Sequence, residues 1–231
     1  YVSTKGNYQG RLSSELRGSG ILRAAQYRAA QDSTTRMELA RTIVNAKIVN
    51  MRTLLMRYIN RLQLTSGAFG ATTSHLKELG RRALSAASLT ELLGIEGRAT
   101  REYYARLGDI LEDTGIAFSS RSRRPPRDPF NALLSFAYSL LLSRVLCAVH
   151  IVGLDPYIGF LHTTKYGRPA LALDLCEELR PVVADPVALW AVRTGTIRAE
   201  HFVNCFGGCW LSEQAREKFV RLWLARLREQ F

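Results

Sequence analysis

Residues 128–153 read DPFNALLSFAYSLLLSRVLCAVHIVG. Whether this stretch crosses a bilayer or fills a protein interior decides the fold. The apolar run from Ala132 to Leu154 is long enough for a membrane span. Arg144 sits in its middle, however, where an arginine costs about 2.5–3.5 kcal/mol on insertion scales. Ser135, Ser139, Ser143 and His150 weaken a lipid-facing reading further. The run is therefore expected to be a central helix buried on most sides, with no membrane involved. Its ends are marked: Asp128 suits the N-cap, Pro129 the first helical position, and Gly153 can stop it.

Outward from this helix the pattern stays helical. ILRAAQYRAAQ (21–31) gives a short helix, and Ser33 or Thr34 can cap a longer one ending near Leu62. Ala40, Val44, Ile48, Met51, Leu55 and Tyr58 belong to a broad apolar stripe along it, with lysines and arginines mostly facing away. SGAFGATTS (66–74) breaks the pattern before a helix through HLKELGRRALSAA. Ser88 to Glu91 is a capping box that opens a helix of about five turns, with Glu96 near its middle. Asp155-Pro156 signals a brief helix through Phe160, TTKYGRP is a loop, and ALALDLCEEL is helical up to Pro181. Helical segments near 186–194 and 212–230 close the chain. Only residues 1–16 have the glycine-broken alternation of short strands.

The fold class expected is mainly α: a helical domain over residues 21–231, preceded at 1–20 by the last strands of a small β-sheet domain and a linker. The chain begins at Tyr1 rather than Met, so the natural start is expected to lie upstream.

With 32 Lys and Arg against 20 Asp and Glu, the formal charge is +12. That excess favours a polyanion partner, because a positive field concentrates phosphates at the surface. Cys147, Cys176, Cys205 and Cys209 are sparse and set in apolar surroundings, which points to buried thiols in a reducing cytoplasm. His201, Cys205 and Cys209 fall at four-residue steps, but no clear fourth ligand follows, and they are taken as structural.

The chemistry gathers elsewhere. Asp174 and Glu177 are three apart on one helical face, and His162 precedes them across a loop carrying Lys165 and Arg168. Two carboxylates side by side repel, and burial makes this worse. A divalent cation would remove the conflict: oxygen donors suit Mg²⁺ or Mn²⁺, and an imidazole shifts the preference toward Mn²⁺. A plain solvated acidic face competes with this reading, as does a hydrogen-bonded core histidine. Glu96 stands between Gly94 and Gly97, each costing roughly 1 kcal/mol against alanine in a helix. That cost makes sense if a backbone or a ligand must come close. The alternative is an ordinary exposed glutamate.

LLGIEGRATREYY, RRPPRDPFNALLSFAYSLL and GLDPYIGFLHTTKYGRPALALDLCEELRPVVAD, in that order, resemble the CRISPR-associated endonuclease-integrase of spacer acquisition, the Cas-one family. GRLSSELRGSGILRAAQYRAAQD and WLSEQAREKFVRLW extend the resemblance over almost the whole chain. It implies a catalytic set of Glu96, His162, Glu177 and Asp174. In that set Glu96, His162 and Glu177 hold Mg²⁺ or Mn²⁺, and Asp174 is a water-mediated or supporting ligand. Asn131 and Tyr138 fall at family-typical positions close to the site. The resemblance also implies a DNA strand-transfer reaction in which a 3′-hydroxyl attacks repeat DNA. A homodimer and a small ferredoxin-like subunit bridging two dimers are implied as partners. DNA contacts are expected at Arg98, Arg101, Arg123, Arg124, Arg127, Asn131, Lys165 and Arg168. A catalytically silent DNA-binding or assembly subunit is the competing expectation.

Overall fold

The computed structural model describes residues 19–64 and 67–230. The chain order is α1 (Ser19–Gln31), α2 (Ser33–Leu62), α3 (Gly67–Ser85), α4 (Leu89–Leu111), α5 (Pro129–Val152), α6 (Ala170–Leu179) and α7 (Asp185–Arg193). A hairpin of β1 (Phe202–Cys205) and β2 (Gly208–Leu211) then leads into α8 (Glu213–Gln230). The expected mainly α class is the one observed. The strands expected over residues 1–16, and the boundary drawn at residue 20, fall on or beside residues outside the described part.

The 30-residue α2 is the axis, packed against α1, α3, α4 and α6. Ala40, Val44, Ile48, Met51, Leu55 and Tyr58 are buried along it at three- and four-residue steps. Full burial of each large side chain contributes about 1.5–3 kcal/mol. One cation departs from the expected outward set: Lys47 lies inside the stripe and is only 3% exposed.

Asp128 caps α5 by accepting the Asn131 N–H at 2.8 Å, and Gly153 ends the helix at φ 92°. Among the described residues α5 is the one helix with the length and composition of a membrane span, and half of its most apolar window is buried in this fold. It packs on α6, α7 and β2. Phe130, Leu133, Leu134, Ala137 and Leu141 are buried, while Ser139 and Arg144 are exposed.

Several local expectations are corrected. The α2 cap is Asp32, not Ser33 or Thr34; its carboxylate accepts the Thr35 N–H at 2.8 Å. α3 already begins at Gly67, so most of 66–74 is helical, and the described break contains the left-handed Gln63. No helix follows Asp155-Pro156, because the N–H groups of residues 160–162 bond to Asp174 instead. The 202–211 hairpin was not anticipated, and it leaves Cys205 exposed rather than buried. At Pro181 the missing N–H interrupts the α ladder, yet the helix continues through a π turn, Arg180–Ala184, into α7.

Candidate metal centre

The site is assembled from the bottom by Asp174 on α6, whose residue is 0% exposed. Its Oδ2 accepts the Phe160 and Leu161 N–H groups at 2.6 and 3.0 Å. Its Oδ1 accepts the His162 N–H at 2.9 Å and lies 2.7 Å from His162 Nδ1. One carboxylate thus pins the whole turn that carries the histidine. Gly159 makes this closure sterically feasible, since a Cβ there would lie 2.6 Å from Asp174 Oδ2 and 2.7 Å from the Ala170 carbonyl carbon. A carboxylate already receiving three backbone donors acts as an acceptor, so Nδ1 carries the proton and Nε2 presents a lone pair. Asp174 has no oxygen lone pair to spare for an ion. Its place is behind His162, as the group that orients the ring.

His162 Nε2 points toward Glu177, 4.0 Å from Oε1, and has no hydrogen-bond partner among the described residues. Glu177, on the same face of α6 as Asp174, is 6% exposed. Glu96 reaches the same place from α4, held by the Thr100 hydroxyl at 2.8 Å. The two glutamates meet on one atom: Lys47 Nζ donates to Glu177 Oε2 at 2.5 Å and also to Glu96 Oε1. Burial alone would raise the Glu177 carboxyl, but the Lys47 and Arg180 charges outweigh it and hold the group at about 2. Burial likewise opposes the Lys47 charge, yet Glu177 and Glu96 win and raise its pKa.

Two of the three expected ligands, Glu96 and Glu177, thus meet on an ammonium group, and His162 stands beside Glu177. As they stand, no three of His, Cys, Asp and Glu among the described residues are close enough to share an ion. The donor set itself fits one: two carboxylates already crowded around a single cation, and a free imidazole nitrogen beside them. Gly94 and Gly97 leave open space, because a Cβ at either would meet nothing within 4 Å. Among the described residues no side chain or backbone of another element approaches there, so within them the close-approach reading of these glycines is left to a ligand.

The sequence reading missed Lys47, although a lysine between Val44 and Ile48 in an apolar stripe was a legible signal. It also passed over Arg180, whose NH1 bonds Glu177 Oε1 at 2.5 Å and whose guanidinium lies 4.8 Å over the Tyr138 ring. Tyr138 in turn donates to Asp185 Oδ1 at 2.7 Å, Tyr103 donates to Oδ2 at 2.7 Å, and the Tyr104 hydroxyl meets that of Tyr138 at 2.9 Å. Burial pushes the Asp185 carboxyl up to about 6 even though both tyrosines favour its charged form.

Of the expected DNA contacts, Arg98, Arg101, Arg123, Arg124, Arg127 and Lys165 are exposed, and Arg168 is half-buried in the loop after His162. Asn131 is corrected. It is 0% exposed, accepts from Arg121 NH1 at 2.7 Å and the Ser122 N–H at 2.9 Å, and donates to Ser120 O at 2.8 Å and Asp128 Oδ2 at 2.5 Å. Its amide is consumed in fastening the 120–122 segment to α5 and is closed to DNA.

The family described as CRISPR associated protein Cas1 matches residues 1–225. A CRISPR-associated exonuclease Cas4/endonuclease Cas1 fusion from Geobacter sulfurreducens is 42% identical over 213 residues, covering 90% of this chain and 38% of its own. CRISPR-associated endonuclease Cas1 3 from Thermus thermophilus is 40% identical over 230 residues, covering 100% of this chain and 66% of its own. The chain thus spans less than two thirds of either relative. Among solved structures, a CAS1 protein from Thermotoga maritima is similar with a TM-score of 0.83 at 32% identity, over 99% of this chain and 70% of that one. A chain of a partial Cas6-RT-Cas1--Cas2 complex is similar with a TM-score of 0.83 at 29% identity, over 100% and 70%.

Proposed function

This chain belongs to the Cas1 family of CRISPR-associated proteins, and from that premise we propose that it carries the catalytic centre of a divalent-metal-dependent DNA endonuclease and integrase of spacer acquisition. The observation that carries the reading is the meeting of Glu96 and Glu177 on one cation beside the free Nε2 of His162.

Glu96, Glu177 and His162 Nε2 are the groups that would hold Mg²⁺ or Mn²⁺. When bound, such an ion supplies Lewis-acid polarisation of a phosphoryl oxygen and eases deprotonation of the attacking hydroxyl. Asp174 keeps His162 in the tautomer that can ligate. Arg180 holds Glu177 in place and adds positive charge beside the phosphate. Lys47 keeps the two carboxylates together before an ion arrives, and must yield its position when one does. No residue need form a covalent intermediate, because the DNA 3′-hydroxyl is the nucleophile; water in its place gives cleavage.

Arg98, Arg101, Arg123, Arg124, Arg127, Lys165 and Arg168 are assigned to phosphates. On that assignment log affinity falls by about 0.9 per phosphate neutralised for each log unit of salt. A near-zero salt slope would remove it. The likeness to a chain from a complex with Cas2 supports a partner of that kind; that this partner is a small ferredoxin-like subunit bridging two homodimers rests on the sequence resemblance alone. Copurification with that subunit and joint mapping on repeat DNA test this.

Lys47 also favours the second reading, a catalytically silent subunit, since it neutralises the glutamates without a metal. Glu96→Ala and His162→Ala, assayed on branched DNA with Mn²⁺ or Mg²⁺, decide between the two. Abolished turnover supports the enzyme. Turnover unchanged in both variants refutes the site, and no turnover by the unmodified protein favours the silent subunit.

A further inference from the structure

The charges that meet around Glu177 balance as they stand. Glu96 and Glu177 bring two carboxylates, and Lys47 and Arg180 bring two cations bonded to them. His162, with its proton on Nδ1, adds no charge, and Asp174 behind it is met by three backbone donors and the ring. A divalent cation on the glutamates would leave this group with an excess of two positive charges. The Lys47 ammonium would then be a buried charge stripped of its partners, which is strongly destabilising.

Lys47 has no second carboxylate to turn to. Its stem leaves α2 between Val44 and Ile48, both fully buried, so its Cα is fixed in the core. The other buried acids are committed, Asp174 to the 160–162 turn and Asp185 to Tyr103 and Tyr138. Arg180 differs, because it bonds the other oxygen of Glu177 and is also tied to the Tyr138 ring. Of the side chains in the set, those of Glu96 and His162 are the most exposed, at 22% each, so the site opens on their side. An anion entering there meets the ammonium, whose three donors on a flexible stem can turn to a new oxygen.

Resting on the metal reading above, we propose that Lys47 is an exchangeable counter-ion, released from Glu96 and Glu177 by the ion and received by a DNA phosphate entering past Glu96 and His162. The ion and the DNA then bind cooperatively, each tightening the other by the same factor. Without DNA the lysine holds the ion off, because displacing it leaves a buried cation with nothing to accept it. With DNA in place the same displacement gains a charge-assisted bond to phosphate. One side chain thus makes firm metal binding conditional on substrate.

Mn²⁺ titration of the full chain, read by electron paramagnetic resonance with and without a dideoxy-terminated branched DNA, tests this through binding rather than turnover. In the parent the DNA tightens Mn²⁺ roughly 5- to 150-fold, and anisotropy of the same DNA shows a matching gain on adding Mn²⁺. Lys47→Met binds Mn²⁺ more tightly than the parent without DNA, and its gain from DNA falls by about 5-fold or more. Lys47→Gln keeps a donor for the glutamates without the charge and shifts both quantities the same way, so the outcome does not depend on how well the Met variant folds. Parent affinity for Mn²⁺ that is indifferent to DNA overturns the proposal. A DNA gain that survives in full in both variants also overturns it, assigning the coupling to phosphate on the ion alone. Weaker Mn²⁺ binding by both variants without DNA overturns it too, making Lys47 an organiser of the glutamates rather than a competitor for them. Those outcomes leave the metal reading intact, whereas a parent that binds no Mn²⁺ with or without DNA overturns the metal reading itself.

Discussion

Glu177 and Asp185 stand on consecutive helical segments and are almost equally buried, at 6% and 1% exposure. They are nevertheless driven in opposite directions. Glu177 touches Lys47 and Arg180 and is held at about 2. Asp185 touches two tyrosine hydroxyls and rises to about 6. Burial is common to both, so partner charge decides. Neutral donors soften the desolvation of a carboxylate, but they do not cancel it as two bonded cations do. Arg180 sits between the two groups, bonded to Glu177 and stacked over the Tyr138 ring that serves Asp185.

The most severe way to break this contrast is Lys47→Met. Without metal it leaves Glu96 and Glu177 facing each other, and the loss of one partner of a buried pair costs about 3–5 kcal/mol. Urea unfolding in EDTA measures that loss, and Mn²⁺ should recover much of it by binding only the folded state. A variant as stable as the parent in EDTA would show that the lysine does not hold the glutamates together.

Next in size is the pH response of Asp185. Its folded pKa of about 6 lies above the ordinary 3.8. The protonated form is thus favoured by folding. That contribution is complete below about pH 4 and is lost as pH rises through about 6. At about 1.4 kcal/mol for each pKa unit, roughly 3 kcal/mol is at stake. The stability advantage of the parent over Asp185→Asn should shrink by about that amount between pH 4 and pH 7. A difference that stays constant across this range would place the titration elsewhere.

Asp174→Asn sharpens the other side. An amide offers one acceptor oxygen where the carboxylate offered two, so the 160–162 turn and the His162 tautomer lose their common anchor. Mn²⁺ affinity by calorimetry should fall about 10- to 100-fold. An unchanged affinity would make Asp174 a packing residue alone. Smallest is Tyr103→Phe, which removes one donor to Asp185 and costs about 1 kcal/mol. It should also move the Asp185 midpoint upward, and the effect should vanish in an Asp185→Asn background.

Much of this arrangement was legible before folding, and for local reasons. Asp128, Pro129 and Gly153 mark the ends of α5, because caps satisfy backbone groups within one turn. Ser88 does the same for α4, accepting the Glu91 N–H at 3.2 Å. The motifs around Glu96, His162 and Glu177 also sufficed to name the family that matches residues 1–225.

What escaped depended on distant partners. Asp174 looked like a supporting ligand until the turn from residue 160 to 162 closed on it. Asn131 looked available to DNA until Ser120, Arg121 and Ser122 spent its amide. Lys47 could be placed in an apolar stripe from spacing alone, but its two glutamates lie 49 and 130 residues away. A cavity of about 870 Å³ lined by Arg121, Arg123, Arg124, Arg180 and Arg216 needed α5, the 121–127 loop, the hairpin and α8 together. Helix periodicity and capping act over a few residues and are written in order along the chain. Charge pairing acts through space, so the fate of a buried carboxylate is settled only when the fold chooses its neighbours.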